Sequence, residues 1–208
     1  MTRIFYGWAT PNSQRVSVML EELGLPYEVR SVNIRAREQC APEVMALNPY
    51  GKIPILVEEG RPPLFESGAI LLHLAETHER FLPPSGDPNR MEVMTWLMVA
   101  LTSLGPMTGQ AHHWTDLAPE KPEIARLHTV GLVNRVYRLL NGRLSAVRFL
   151  AGETYSVADI AAWPWVAKHA WAEIRLETFP HLARWFAEIG DRPSVRRGML
   201  IPNGATLD

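Results

Sequence analysis

Three things are scarce in this chain, and each scarcity removes a class of explanation. Cys40 is the single cysteine among 208 residues. No disulfide can close within the chain, which suits a reducing compartment such as the cytoplasm. Charge of one sign is scarce too: 21 Lys and Arg stand against 22 Asp and Glu, for a formal net charge of −1. That balance gives neither the basic excess of a nucleic-acid binder nor an acidic tail. Long apolar runs are also lacking. The start, MTRIFYGW, has no hydrophobic stretch behind a basic end, so no signal peptide is expected. No window approaches the ~20 apolar residues of a spanning helix, so no membrane partner is expected. Internal repeats and low-complexity segments are missing as well.

What is present is 47% hydrophobic residues, enough for a packed core, with seven Trp and eight Met. The first 79 residues alternate strand and helix signals. Arg3 to Gly7 reads as a strand. Thr10-Pro11 reads as an N-cap followed by proline at the first helical position. Val16, Met19, Leu20 and Leu23 have helical spacing, and Gly24 closes that helix. Tyr27 to Val32 and Ile53 to Val57 read as strands, with a short helix over Pro42 to Leu47 between them. Leu64-Phe65 is a fourth strand, and Ser67 opens a helix carrying Ile70, Leu71 and Leu74. The order β-α-β-α-β-β-α predicts parallel pairing across both helical crossovers, then a hairpin.

Residues 80–90 hold Pro83, Pro84, Gly86 and Pro88 and read as a linker. Residues 91–208 then show only helical spacing. One helix is expected to end near Gly105-Pro106, a second carries Ile124 to Leu140, and two more cover Ala158 to Lys168 and Leu182 to Ile189. The predicted fold class is thus an α/β N-terminal domain followed by an all-α C-terminal domain. Ser156 and Asp159 stand at capping-box spacing, with Tyr155 and Ile160 placed to pack beside them. Trp163-Pro164-Trp165 reads as core on a kinked helix. Arg192 to Arg197 reads as a solvated surface.

The densest chemical signal is Asn48 to Ala69, NPYGKIPILVEEGRPPLFESGA. Ile53, before Pro54, can offer its backbone groups to an extended ligand as an added strand would. Ser67 can present a hydroxyl and N–H groups at a helix start, where negative charge is favoured. Glu66 beside it can pair with an ammonium. Such a segment suits a small peptide with a free carboxylate. Each piece also has a plainer reading, as a turn or a helix start. His112-His113 with Asp116 could suggest a metal, but neighbours on a helix point about 100° apart and no further ligand set follows, so no metal is expected. That pair and Trp114 better suit the lining of an apolar pocket. Cys40 reads as an incidental thiol.

Gly51-Lys52-Ile53-Pro54, Phe65-Glu66-Ser67-Gly68-Ala69-Ile70 and Ser156-Val157-Ala158-Asp159 together resemble the glutathione transferases, over nearly the whole chain and in the expected order. A narrower similarity is to the bacterial Nu class with its disulfide-bond reductase members. Thr10-Pro11-Asn12, Gly105-Pro106-Met107, Gly109-Gln110, His112-His113 and Ala162-Trp163-Pro164-Trp165 carry it. The resemblance implies a thioredoxin-like first domain, a helical second domain, a homodimer and a cis bond before Pro54. It implies glutathione as co-substrate, and glutathione disulfide, a small electrophile or another disulfide as the partner molecule. Carried over by position, Ile53 and Pro54 face the cysteinyl part, and Glu66 and Ser67 hold the γ-glutamyl end. Gln39 and Lys52 contact the glycine carboxylate or nearby backbone, Thr10 and Asn12 lie at the sulfur, and Arg126 reaches the glutathione of the neighbouring subunit. Many relatives use Tyr, Ser or Cys after the first strand; here neither Tyr6 nor Trp8 matches, and no Cys is there.

The reacting species in such chemistry is a thiolate. Lowering a thiol from pKa about 8.5 to about 6.5 takes ~2.7 kcal/mol of selective stabilisation of the anion. A helix N-terminus gives roughly 0.3–1 kcal/mol, up to about 2 when partly buried. One hydrogen bond to a charged acceptor adds about 1.5–3 kcal/mol. Thr10 and Asn12 are therefore expected to stabilise the anion, since neither titrates usefully. Disulfide reduction is the expected reaction, with conjugation or peroxidase activity beside it. A glutathione-binding carrier without catalysis is the alternative, and an isomerase or dehalogenase ranks below it.

Overall fold

The computed structural model describes residues 2–202. Its first strand, β1 (Arg3–Gly7), alternates buried and half-buried residues, as a strand with one face on a core must. The chain turns into α1 (Pro11–Leu23), which Gly24 ends in the left-handed conformation at φ 67°. Then follow β2 (Glu28–Ser31), a 3₁₀ turn over Glu38–Cys40, α2 (Pro42–Met45), β3 (Ile55–Glu58), β4 (Leu64–Phe65) and α3 (Ser67–Thr77). The element order is the expected one.

The strands lie in the order β2-β1-β3-β4. β1 and β2 are parallel, as the α1 crossover requires. The second crossover departs from expectation: β3 runs antiparallel to β1, with Phe5 opposite Leu56. The reason lies in α2. At about 1.5 Å per residue, a helix of one turn advances the chain only about 6 Å and does not carry it back along the sheet. β3 and β4 form the expected antiparallel pair. Phe5, Ile55, Leu56 and the α3 residues Ile70, Leu71 and Leu74 are buried around this mixed sheet.

The described residues fall into two compact units. One holds the chain up to Arg80 and again from Asp191, and the other is Phe81–Gly190. The second unit contains α4 (Asn89–Val99), α5 (Gly105–His112), α6 (Glu123–Leu144), α7 (Val157–Val166) and α8 (Pro180–Gly190). Gly105-Pro106 does not end a helix. A π-helical turn, Ala100–Leu104, leads from α4 directly into α5, and a second, His113–Leu117, follows α5. Pro106 is the second residue of α5, immediately after the π turn. A side chain on Gly105 would stand 3.1 Å from the Trp165 indole, so the small residue there serves packing.

All ten residues of α7 are buried, Pro164 among them. Asp159 carries the capping box. Its Oδ2 accepts from the Ser156 N–H and hydroxyl, each at 3.0 Å, and its Oδ1 accepts from Leu150 N at 2.9 Å and Trp185 Nε1 at 2.8 Å. Tyr155 meets Phe81 and Phe149 edge-on. Trp163 stacks on Phe186 and gives its indole N–H to the Phe186 carbonyl. The arginines after Asp191 are not merely solvated. They belong to α9 (Pro193–Met199) and its approach, which lie along α1 in the first unit. Arg192 forks onto Glu22, and Arg197 pairs with Glu21.

Candidate functional site

A cleft of about 270 Å³ opens in the first unit, lined by Asn12, Asn48, Tyr50, Lys52, Ile53, Pro54, Glu66 and Ser67. Six of the residues expected from sequence meet here: Asn12, Lys52, Ile53, Pro54, Glu66 and Ser67. The Ile53-Pro54 peptide is cis. Ile53 precedes β3 and Ser67 opens α3, so the approach to a strand and the start of a helix, with β4 between them in the chain, line one cleft.

The α3 end is built for an anion. Its first intrahelical bond runs from Ile70 N to Glu66 O at 3.0 Å, which leaves the N–H groups of Ser67, Gly68 and Ala69 ahead of it. The Glu66 side chain does not cap them, and no acid lies in the first turn. The macrodipole adds partial positive charge there. Glu66 takes φ 69° and ψ 109°, a conformation that L-residues rarely adopt. Backbone strain of this kind gathers at functional sites. Glu66 itself is exposed, while Ser67 is buried.

The opposite rim depends on Asn48, which is buried and was not singled out in the sequence. Its amide donates to the Lys52 carbonyl at 2.7 Å, and its Oδ1 accepts from the Tyr50 N–H at 3.0 Å. This is an Asx turn, and Asn ahead of Pro-Tyr-Gly was its available signal. Gly51 takes φ 64°, and a Cβ there would meet the Met45 sulfur at 3.0 Å. The turn presents Lys52, whose ammonium stands 5.7 Å from the centre of the exposed Tyr50 ring.

Three expected residues lie elsewhere. The Thr10 hydroxyl caps α1, accepting from Ser13 N at 3.4 Å and donating to Ser13 Oγ at 3.2 Å. The same Ser13 Oγ accepts from the Trp8 N–H, so this network fixes the loop after β1. Gln39 sits in the 3₁₀ turn behind Gly51, its side-chain oxygen buried without a partner among the described residues. Arg126 is in the second unit, where it pairs with Glu173 at 2.6 Å. Cys40 is exposed and does not line the cleft.

A further residue was missed entirely. Arg15 on α1 is 2% exposed, and its Nη1 donates to Ser67 Oγ at 3.3 Å. Burial pulls its pKa down to about 9 while the Glu66 charge pulls it back, so the guanidinium stays charged at neutral pH. An arginine on a helix face ordinarily points to water, and nothing in the spacing marks this one as buried.

In the second unit His112 stacks on Trp171, with ring centres 3.9 Å apart. Burial pushes the His112 pKa down against the opposing charge of Asp116. Among the described residues no group of three His, Cys, Asp or Glu could hold a metal ion, and no helix is long and apolar enough to cross a membrane.

Residues 9–77 match the family model of the glutathione S-transferase N-terminal domain, and residues 93–193 match that of the C-terminal domain. The disulfide-bond oxidoreductase YfcG of Escherichia coli is 38% identical, the match covering 92% of this chain and 91% of YfcG. A glutathione transferase from Burkholderia graminis, solved with two glutathione molecules bound per subunit, is 35% identical with a TM-score of 0.88, covering 97% and 88% of the two chains. One from Pseudomonas putida, solved with one glutathione disulfide per subunit, is 34% identical with a TM-score of 0.89, covering 97% and 92%. The chain belongs to the glutathione S-transferase family.

Proposed function

We propose that this protein is a glutathione-dependent enzyme that reduces disulfides by thiol–disulfide exchange, with conjugation or peroxide reduction as lesser activities. The observation that carries the proposal is the convergence in one cleft of three groups. They are the Ile53 backbone beside Pro54, the start of α3 with Ser67, and the carboxylate of Glu66. They suit the cysteinyl backbone, the carboxylate and the ammonium of glutathione. The relatives described above, one named an oxidoreductase and two holding glutathione or its disulfide, agree with it.

In this reading the glutathione sulfur lies by the start of α1, where Asn12 lines the cleft. Its thiolate attacks one sulfur of a substrate disulfide, and the other sulfur leaves as a thiolate. No cysteine lines the cleft to resolve the mixed disulfide, so a second glutathione thiolate attacks it. The substrate's remaining thiol is released and glutathione disulfide forms. Two electrons pass from two glutathiones to the substrate. Lys52 attracts the glycine carboxylate, with Gln39 behind the turn. The working form is a homodimer in the cytoplasm, and there Arg126 leaves Glu173 to meet the neighbouring subunit's glutathione.

The test is glutathione-dependent reduction of 2-hydroxyethyl disulfide, followed through a glutathione reductase couple, alongside calorimetric binding. Turnover above the uncatalysed rate, with binding of both reduced and oxidised glutathione, is expected. Binding without turnover on disulfides, peroxides and aryl halides would instead make the protein a carrier.

A further inference from the structure

Arg15 is a burden to the fold as it stands. Its Nε and Nη2 are buried with no hydrogen-bond partner among the described residues. Burying a guanidinium so incompletely paired is costly, and an apolar side chain of similar volume would be easier to accommodate. Among the described residues its hydrogen bond goes to Ser67, and the opposing charge that acts on it is that of Glu66. Both of those residues line the cleft.

The direction of the hydrogen bond matters. A guanidinium has N–H donors and no acceptor. Ser67 Oγ must therefore accept from Arg15, and its single O–H has to point elsewhere. Ser67 lies at the cleft and at the N-terminus of α3, so that proton is available to an anionic ligand group. Glu66 supplies negative charge at the same rim, and Arg15 supplies positive charge behind it. The pair matches an amino-acid head, ammonium against Glu66 and carboxylate against Ser67.

We propose that Arg15 is a positioning residue for the α-carboxylate of the ligand's γ-glutamyl head: it occupies a lone pair of Ser67, commits the Ser67 O–H to the ligand, and places a buried positive charge behind that contact. The inference rests on the glutathione reading above and adds to it a residue that the ligand does not have to touch.

The experiment titrates two ligands by calorimetry: glutathione, and γ-aminobutyryl-cysteinyl-glycine, which lacks only that carboxylate. The proteins are the wild type, Arg15→Met, Arg15→Lys, Ser67→Ala and the double variant Arg15→Met/Ser67→Ala. The wild type should prefer glutathione by about tenfold or more, the scale of one hydrogen bond to a charged group. Arg15→Met should remove most of that preference while changing affinity for the analogue little. Adding Ser67→Ala to it should remove little more, because the two residues act as one unit. Arg15→Lys, which keeps a positive charge and a donor at this position, should retain an intermediate preference. Equal weakening of both ligands by either Arg15 variant, or a preference left intact, overturns the proposal. A wild type that binds neither ligand at millimolar concentration instead removes the glutathione reading itself.

Discussion

Gly198 lies so close to the backbone of Val18 that a Cβ on it would stand 2.5 Å from the Val18 Cα and 2.7 Å from its nitrogen. This contact seats α9 on α1, and the Ser17 hydroxyl donates across it to the Gly198 carbonyl at 2.6 Å. Backbone atoms cannot rotate aside as a side chain can. Gly198→Ala should therefore cost about 1–3 kcal/mol, the scale of overpacking. The exposed helical glycines of α6, Gly131 and Gly142, meet nothing within 4 Å, and alanine at either should stabilise by about 0.5–1 kcal/mol. Urea denaturation of the three variants checks both signs. A tolerated Gly198→Ala would show that α9 sits less tightly than described.

Asp159 receives four hydrogen bonds while fully buried, so it organises more than its own helix end. Burial raises its pKa, and the four donors oppose that shift. Truncation to alanine leaves the N–H groups of Leu150, Ser156 and Trp185 and the Ser156 hydroxyl without an acceptor. At about 1–3 kcal/mol for a buried group left unpaired, Asp159→Ala should lose about 4 kcal/mol or more. Ser156→Ala, which leaves three of the donors served, should lose about 1 kcal/mol. Chemical denaturation measures the gap, and equal losses would reduce Asp159 to a simple cap.

Glu58 gives the first unit an acid-sensitive contact. Burial of its carboxylate disfavours charge, but hydrogen bonds from His73 and Arg3, with their charges, outweigh burial and hold its pKa below the ordinary 4.5. The contacts are short: His73 Nε2 at 2.6 Å, Arg3 Nη2 at 2.7 Å and Arg3 Nε at 2.8 Å. Because the folded pKa lies below the unfolded one, the unfolded chain binds more protons between the two values. The stability is present above pH about 4.5 and is lost as pH falls through the lower folded value. The urea midpoint should therefore fall below pH 4.5 more steeply in the wild type than in Glu58→Gln, which should be weaker at pH 7 and flatter in acid. Parallel pH profiles would remove Glu58 from the account.

The strand and helix order of the first unit was legible because each element carries its own punctuation: Thr10-Pro11 before α1, Gly24 after it, Ser67 at α3. The direction of β3 was not, because pairing depends on how far α2 carries the chain rather than on the β3 residues. Gly105-Pro106 misled for a related reason. Those residues usually interrupt a helix, and only the preceding π turn and the Trp165 indole show why the chain continues. In the cleft, Ile53, Pro54, Glu66 and Ser67 were readable as a contiguous motif. Asn48 carried a local signal, Asn ahead of Pro-Tyr-Gly, for the turn that it staples to Tyr50 and Lys52; Arg15 carried none, because it acts through a serine 52 positions away.

Thr10 and Asn12 were read from the sequence as one sulfur-facing pair, and their surroundings separate them. The Thr10 O–H is given to Ser13, whereas Asn12 lines the cleft. If a glutathione thiolate rests at the start of α1, the Asn12 amide or a backbone N–H there can donate to it. A hydrogen bond to a charged group contributes about 1.5–3 kcal/mol, or about one to two units of thiol pKa. Asn12→Ala should then lower kcat/KM for disulfide reduction about 10–100-fold at neutral pH. The deficit should shrink as pH rises and the thiol ionises unaided. Thr10→Ala should lose about 1 kcal/mol of stability as a cap and keep more of the rate. Rate–pH profiles with ultraviolet thiolate absorbance of the bound glutathione distinguish the two. An Asn12→Ala enzyme with an unshifted profile, beside a Thr10→Ala enzyme whose thiol no longer ionises near neutrality, would return the anion to the Thr10 hydroxyl and require that group to abandon Ser13 when glutathione binds.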